Sequence, residues 1–236
     1  MIKAIHPLNL GWLQKELSDQ EMDYLWRCIK NRKGDHRSKL AGNISGSYLL
    51  IDRGDWFWLN TLKPLCEKYK EEFYNLGDHL PINSKHLYYM NQWWVNYQKE
   101  FDNNLGDSVA VSGKHPYFLG SWWVNYQNQH EFNPLHKHGG VYSFVIWMKI
   151  PTHYKDQQRL PISSNSNNDS VSNFEFVYTD ICGKIMNWDY EMCPELEGTL
   201  VFFPSDLNHQ VYPFYNCSEE RVSISGNIML NTAKLL

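Results

Sequence analysis

The chain has 236 residues, a formal net charge of −4, 42% hydrophobic residues and 20% charged residues. This balance excludes a disordered chain and argues against a strongly basic nucleic-acid or membrane-surface binder. The length is enough for one large core without covalent staples.

The N-terminal residues lack the apolar run of a signal peptide, and no stretch approaches the roughly 20 apolar residues of a membrane span. The first predicted element is a helix. Ser18-Asp-Gln-Glu21 reads as a capping box, and Met22, Leu25, Trp26, Cys28 and Ile29 follow at helical spacing. The helix is expected to end between Asn31 and Gly34. Asp55 is expected to cap a second helix carrying Phe57, Leu59, Leu62, Leu65 and Tyr69, with a kink or break at Pro64.

From His86 onward the pattern changes to strands. Segments 87–97, 118–127, 141–151, 174–179, 198–203, 210–214 and 221–230 are apolar, aromatic or β-branched. Seven or more strands with few helical signals between them predict a sandwich or barrel. The expected organisation is an N-terminal helical extension over residues 1–80 packed on a β-core over 81–236, one compact domain overall. Trp93-Trp-Val-Asn-Tyr-Gln98 recurs as Trp122-Trp-Val-Asn-Tyr-Gln127, which suits two neighbouring strands with similar faces. The polar stretch Ser163–Ser170 reads as a mobile surface loop, either an inert tip, the favoured reading, or an active-site flap.

Five cysteines form no C-x-x-C pair, which speaks against a disulfide framework or a thiolate zinc site. A cytoplasmic, reducing setting is therefore expected, with no membrane partner and no nucleic acid indicated.

Chemistry concentrates in three places. Glu131-Phe-Asn-Pro-Leu-His136-Lys-His138-Gly-Gly140 puts two imidazoles on one side of an extended segment, where both could reach one metal. Gly198-Thr-Leu-Val-Phe-Phe-Pro-Ser-Asp-Leu-Asn-His209 runs an apolar strand through a turn to a third histidine. Arg221-Val-Ser223 alternates a guanidinium and a hydroxyl onto one strand face, a pattern that fits a carboxylate. Each feature alone also has a plain structural reading, as a surface histidine pair or an ion-pair arginine. The combination is more specific than its parts.

Together these motifs resemble the 2-oxoglutarate- and Fe(II)-dependent oxygenase superfamily, and most closely a group found in tailed phages and bacteria. The resemblance rests on Asn133–Gly140, Ser143–Trp147, Phe203–His209 and Arg221–Asn227. It covers roughly residues 118–230 and extends more weakly into Leu40–Ser45. It implies a double-stranded β-helix (jelly-roll, cupin-like), with Fe(II), 2-oxoglutarate as small-molecule co-substrate, and ascorbate as a further candidate. It implies His136 and His209 as metal ligands and Arg221, assisted by Ser223, as the clamp for the far carboxylate of 2-oxoglutarate. Tyr126 is implied as a co-substrate contact and Trp147 as an aromatic pocket wall. For a phage protein the setting would be the host cytoplasm.

The superfamily's usual second ligand is an acid, and here His138 stands in its place. Three arrangements follow. His138 ligates and completes a three-histidine face; it swings away and leaves a position open to water or halide; or it becomes the first ligand and His136 only supports it. The first is favoured. Asp206 carries little weight as a substitute. The leading function is a hydroxylase acting on a peptide side chain or small molecule. The alternatives are a three-histidine cupin-like dioxygenase that does not use 2-oxoglutarate, and a non-catalytic β-helix binding module. Trp122, Trp123 and Tyr142 suit flat or apolar groups without selecting a substrate.

Overall fold

The computed structural model describes residues 11–74 and 117–230. The expected strand over 87–97, the first copy of the aromatic repeat and the boundary at residues 80 and 81 lie outside the described residues.

Helix α1 (Asp19–Lys30) starts as its sequence predicts. The Ser18 hydroxyl accepts from the Glu21 N–H, and the Glu21 carboxylate accepts from the Ser18 N–H, so two otherwise orphaned donors are satisfied. Leu25, Cys28 and Ile29 are buried, whereas Trp26 is 41% exposed and lies off the packing stripe.

The second helix departs from expectation in three respects. Asp52, not Asp55, caps it: its carboxylate oxygens accept from the Phe57 and Trp58 N–H groups at 3.0 and 2.8 Å. Asp55 instead follows Gly54 in a turn where both residues have positive φ. Pro64 does not break the helix. A π-turn over Trp58–Leu62 leads directly into α2 (Lys63–Tyr74), and the wider turn accommodates the proline ring just inside the α-helical segment. The π-turn also rotates Leu59 outward to 53% exposure, while Phe57, Leu62 and Tyr69 are fully buried.

The strands are β1 (Leu13–Glu16), β2 (Gly46–Leu49), β3 (Tyr117–Gln127), β4 (Asn133–His136), β5 (Tyr142–Lys149), β6 (Phe174–Thr179), β7 (Ile185–Tyr190), β8 (Thr199–Pro204), β9 (Asn208–Val211) and β10 (Arg221–Leu230). A short helix α3 (Tyr154–Gln158) follows β5. The large sheet has the order β1-β8-β5-β10-β3-β2 and the small sheet β4-β9-β6-β7. Every pairing is antiparallel. From β3 to β10 the chain passes repeatedly between the two sheets, with only β6 and β7 joined as a hairpin in one sheet. This is the winding of a double-stranded β-helix. Residues 11–74 supply more than helices, since β1 and β2 form the two short edge strands of the large sheet.

Strand β5 shows why the middle of the chain reads as a continuous apolar run. Phe144, Ile146 and Met148 face the helices with Leu25, Phe57 and Tyr69, while Val145 and Trp147 face the small sheet with Phe174 and Phe176. Both faces of the large sheet are therefore covered. The Phe57 ring stacks on Trp122 with centroids 5.6 Å apart and planes 8° from parallel, which docks the second helix on β3. No helix among the described residues is long and apolar enough to cross a membrane.

Segment 163–170 forms exposed turns, but its last residue is anchored. Ser170 is buried, and its hydroxyl donates to Glu175 at 3.1 Å; Gln210 donates to the same carboxylate at 2.6 Å. Asp189 lies directly across the β6–β7 ladder from Glu175 and has one buried oxygen without a partner among the described residues. Burial first, then the Glu175 charge, raise the Asp189 carboxyl to about 6, partly countered by Asn173 and Ser170. A carboxyl whose pKa is raised on folding stabilises the fold while protonated, and that contribution is lost as pH rises from about 4 to about 6. Asp189→Asn is therefore expected to raise the melting temperature at pH 8, by at most about 1 kcal/mol of stability after allowing for solvent screening. The gain should vanish at pH 4. Thermal melts of both proteins across pH 4–8 check this, and an equal gain at both ends would refute the ionic origin.

Candidate metal centre

Three histidines converge where the small sheet meets the turn after β8. His136 is the last residue of β4 and pairs across the ladder with His209 of β9. His138 lies two residues further on. Its N–H donates to the Ser205 carbonyl at 2.9 Å, so the Pro-Ser-Asp turn holds the second imidazole. Ser205 is itself fixed, with its hydroxyl 3.0 Å from that of Ser143, which donates to Asn227 at 2.9 Å. Gly140 closes the segment at φ +111°, and a side chain there would strike the Ile228 carbonyl, so glycine is required.

One ring nitrogen from each histidine lies within 4.8 Å of the other two. Nδ1 of His136 donates to the Pro134 carbonyl at 2.7 Å, and Nδ1 of His209 donates to the Leu207 carbonyl at 2.9 Å. These bonds leave Nε2 of both rings as a lone-pair donor directed away from the strand. Nε2 of His138 is 3.1 Å from Nε2 of His209. Two imidazoles bound to one metal at right angles, each at about 2.0–2.1 Å, place their nitrogens about 3 Å apart. The donor set therefore fits a metal ion.

The surroundings keep the triad uncharged. Phe174 stacks on the His209 ring at 5.5 Å and Phe203 meets it edge-on at 5.1 Å. Burial, then the neighbouring imidazoles, push His209 far below the ordinary histidine range; burial likewise lowers His136 and brings His138 to about 4. Neutral imidazole is the form that ligates. Asp206 does not join the triad. It pairs with Lys137 at 2.8 Å on the surface.

The triad opens on a cavity of about 520 Å³ between the two sheets. On its floor, Arg221, Ser223, Ser225 and Asn227 of β10 alternate inward beside Asn125 and Gln127 of β3. Arg221 is 3% exposed and has no acidic partner among the described residues. One terminal nitrogen donates to the Ser172 hydroxyl at 2.6 Å, and the other is 3.5 Å from the Gln127 carbonyl oxygen. Its Nε has no partner, and Phe214 covers one face of the guanidinium at 5.0 Å. Burial lowers its pKa to about 9, which still leaves it charged at neutral pH.

Of the residues expected from sequence, His136, His138, His209, Arg221, Ser223 and Trp147 all line this cavity. Trp147 packs in the wall against Phe174 and Tyr190. Tyr126 does not line it. Its ring faces the other side of β3, where it meets Tyr48 edge-on and the Arg32 guanidinium. Its neighbours Asn125 and Gln127 point inward instead. Sequence reasoning missed Gln127, whose amide is oriented by donation to the Glu131 carbonyl at 2.6 Å, and Ser172, held at φ +71° against Arg221. It also missed the segment from His36 to Ile44, which forms one wall.

Residues 121–227 match the model of a family described as "Putative 2OG-Fe(II) oxygenase". This segment, a little under half of the chain, carries the triad, the cavity floor and most of the β-helix, and over it the chain is similar to the 2-oxoglutarate- and Fe(II)-dependent oxygenases. The chain matches no curated protein. Solved structures that resemble it include a Pseudomonas putida prolyl-4-hydroxylase, at 16% identity over 94% of this chain and 93% of that one, with a TM-score of 0.42. A viral collagen prolyl hydroxylase from Paramecium Bursaria Chlorella virus-1, in its 2OG complex, is 12% identical over 92% and 94%, with a TM-score of 0.43. A Trichoplax adhaerens prolyl hydroxylase in complex with a hypoxia-inducible-factor peptide fragment is 12% identical over 96% and 86%, with a TM-score of 0.41.

Proposed function

We propose that this chain is a 2-oxoglutarate-dependent oxygenase that binds Fe(II) through Nε2 of His136, His138 and His209, and binds the far carboxylate of 2-oxoglutarate through Arg221 with Ser223 beside it. The observation that carries the co-substrate assignment is Arg221: a buried guanidinium with no acidic partner among the described residues, in the same cavity as the triad. An uncompensated buried charge is costly, and a bound carboxylate relieves that cost. The short spacing between His138 and His209 supports ligation by His138 over an open position. Trp147 forms part of the pocket wall.

When bound, iron and 2-oxoglutarate supply the oxidising chemistry: one oxygen atom of O₂ goes to the substrate and one to succinate, with release of carbon dioxide. The protein's own part is to orient and to exclude water. Ser172 and Gln127 aim the guanidinium, the backbone carbonyls of residues 134 and 207 aim the imidazoles, and the phenyl rings keep the metal side dry. Ascorbate would serve to return oxidised iron to Fe(II). Five free thiols support a reducing, cytoplasmic setting. The primary substrate is a peptide side chain or a small molecule.

The test is succinate release from 2-oxoglutarate with Fe(II) and oxygen. Turnover that needs all three supports the reading; metal binding with neither 2-oxoglutarate binding nor turnover overturns it.

A further inference from the structure

Besides the arginine, the cavity has a second cationic corner. The segment Arg37–Lys39 is a single 3-10 turn that carries His36 and Lys39 onto the cavity wall, over β3. The His36 ring lies on Trp123 with centroids 4.7 Å apart, and Trp123 is 6.0 Å from the His138 ring. This corner therefore adjoins the triad. Trp123 is 4% exposed, and its indole N–H has no acceptor among the described residues. A buried donor without a partner is unusual in a folded protein and points to an acceptor that arrives with a ligand. Lys39 is exposed at the mouth and has no acidic partner among the described residues. Its charge acts on His36, whose basicity falls through burial first and this neighbour second. The other lysine at the mouth, Lys137, is already paired with Asp206.

The charge of the cavity points the same way. No Asp or Glu lines it among the described residues. With three neutral imidazoles around Fe(II), the two charges of 2-oxoglutarate cancel those of the metal, and Arg221 leaves one positive charge over. An acid in the place of His138 would have cancelled it. The loaded site thus favours one further anion, and Lys39 with the Trp123 N–H supplies charge-assisted and neutral donors for it.

We propose that the primary substrate carries an anionic group, a carboxylate or phosphate, that docks against Lys39 and the indole N–H of Trp123 with the carbon to be oxidised held over the histidine triad. This rests on the assignment of the triad and Arg221 to Fe(II) and 2-oxoglutarate. Arg221 takes the co-substrate; the corner at Trp123, four residues along β3 from Gln127, selects the substrate by charge.

The test uses the full chain, loaded without oxygen with Fe(II) and saturating 2-oxoglutarate. Calorimetry and tryptophan fluorescence then follow titration with N-acetyl amino acids, their neutral amides, and inorganic phosphate. The free acids or phosphate are expected to bind about tenfold or more tighter than the amides, as one charge-assisted hydrogen bond implies. Lys39→Ala should abolish that preference, and Trp123→Phe, which keeps a ring under His36, should reduce it. Preference for phosphate over the acids would identify the anion as a phosphoryl group. Equal binding of acids and amides, binding of neither acids nor phosphate, or a preference that survives Lys39→Ala would overturn the proposal. So would loss of 2-oxoglutarate affinity in Lys39→Ala, which would place Lys39 in the co-substrate pocket. Failure of the parent protein to bind 2-oxoglutarate at all would be seen before any titration and would strike the earlier assignment instead.

Discussion

Arg221→Met is expected to abolish 2-oxoglutarate binding while leaving the ligand-free protein at least as stable as the parent. The two effects have opposite signs because one charge causes both. In the free protein the guanidinium is 3% exposed and its visible partners are a serine hydroxyl and a distant glutamine oxygen, neither of which neutralises it. Methionine fills a similar volume without the desolvation cost, and replacement of buried ionic groups by packed apolar ones typically gains about 1–4 kcal/mol. In the complex the same change removes one partner of a buried charged pair, a loss of about 2–5 kcal/mol, or roughly 30- to several-thousand-fold in affinity. Chemical denaturation of the ligand-free protein and calorimetric titration with 2-oxoglutarate measure the two sides. Unchanged affinity in the methionine variant would show that the arginine serves the fold and not the co-substrate. Arg221→Lys should fall between, because an ammonium keeps the charge and loses the fork.

The second large effect is at His138. If three imidazoles hold the metal, His136→Ala, His138→Ala and His209→Ala should each lower Fe(II) affinity by at least about 100-fold, since loss of a mere supporting contact already costs about 10- to 100-fold. His138→Asp should retain the metal, because a carboxylate at that position is also a competent iron ligand. It should also remove the surplus positive charge and so weaken the anion preference assigned to the Lys39 corner. Anaerobic equilibrium dialysis against Fe(II), or cobalt substitution read by absorption, separates the cases. Full metal affinity in His138→Ala would establish a two-histidine site with an open position, and the 3.1 Å approach to His209 would then be an ordinary hydrogen bond between rings.

Much of the scaffold was legible because its signals are local. The capping box at Ser18 depends on two side chains three residues apart, and it formed as written. Six strands between residues 117 and 230 follow apolar runs bounded by turn residues. The short strands β1, β2 and β7 were not anticipated, whereas β4 lies in the extended segment expected before the histidine pair. β1 and β2 are four-residue edge strands, and β7 leaves Ile185 and Trp188 largely exposed, so neither class carries a clear apolar pattern. Asp55 against Asp52 was a near miss of three residues, decided by where the loop turns and not by the acid itself.

Tyr126 is the instructive case at the site. Side chains alternate along β3, so an error of one residue turns a cavity residue into one on the far face. The sequence offers no help in choosing, because both faces of β3 are covered: Trp122 and Val124 pack on the helical side, Trp123 and Asn125 on the cavity side. Aromatic residues occur on both parities. Only pairing with β10, which sets Arg221 opposite Gln127, fixes which parity looks inward.

The sequence by itself determined the strand-rich fold, the His-x-His pair, the distant histidine and the arginine, because these are properties of residue type and short spacing. The tertiary structure decided how they relate. Pairing of β4 with β9 brings His136 to His209 across 73 residues of chain, and the turn at Ser205 carries His138 to the same point. Whether an arginine is paired or alone, and whether an indole N–H has an acceptor, depends on residues dozens of positions away. That is why the unbalanced charge at Arg221 and the cationic corner at Lys39 and Trp123 became visible only once the sheets had closed around the cavity.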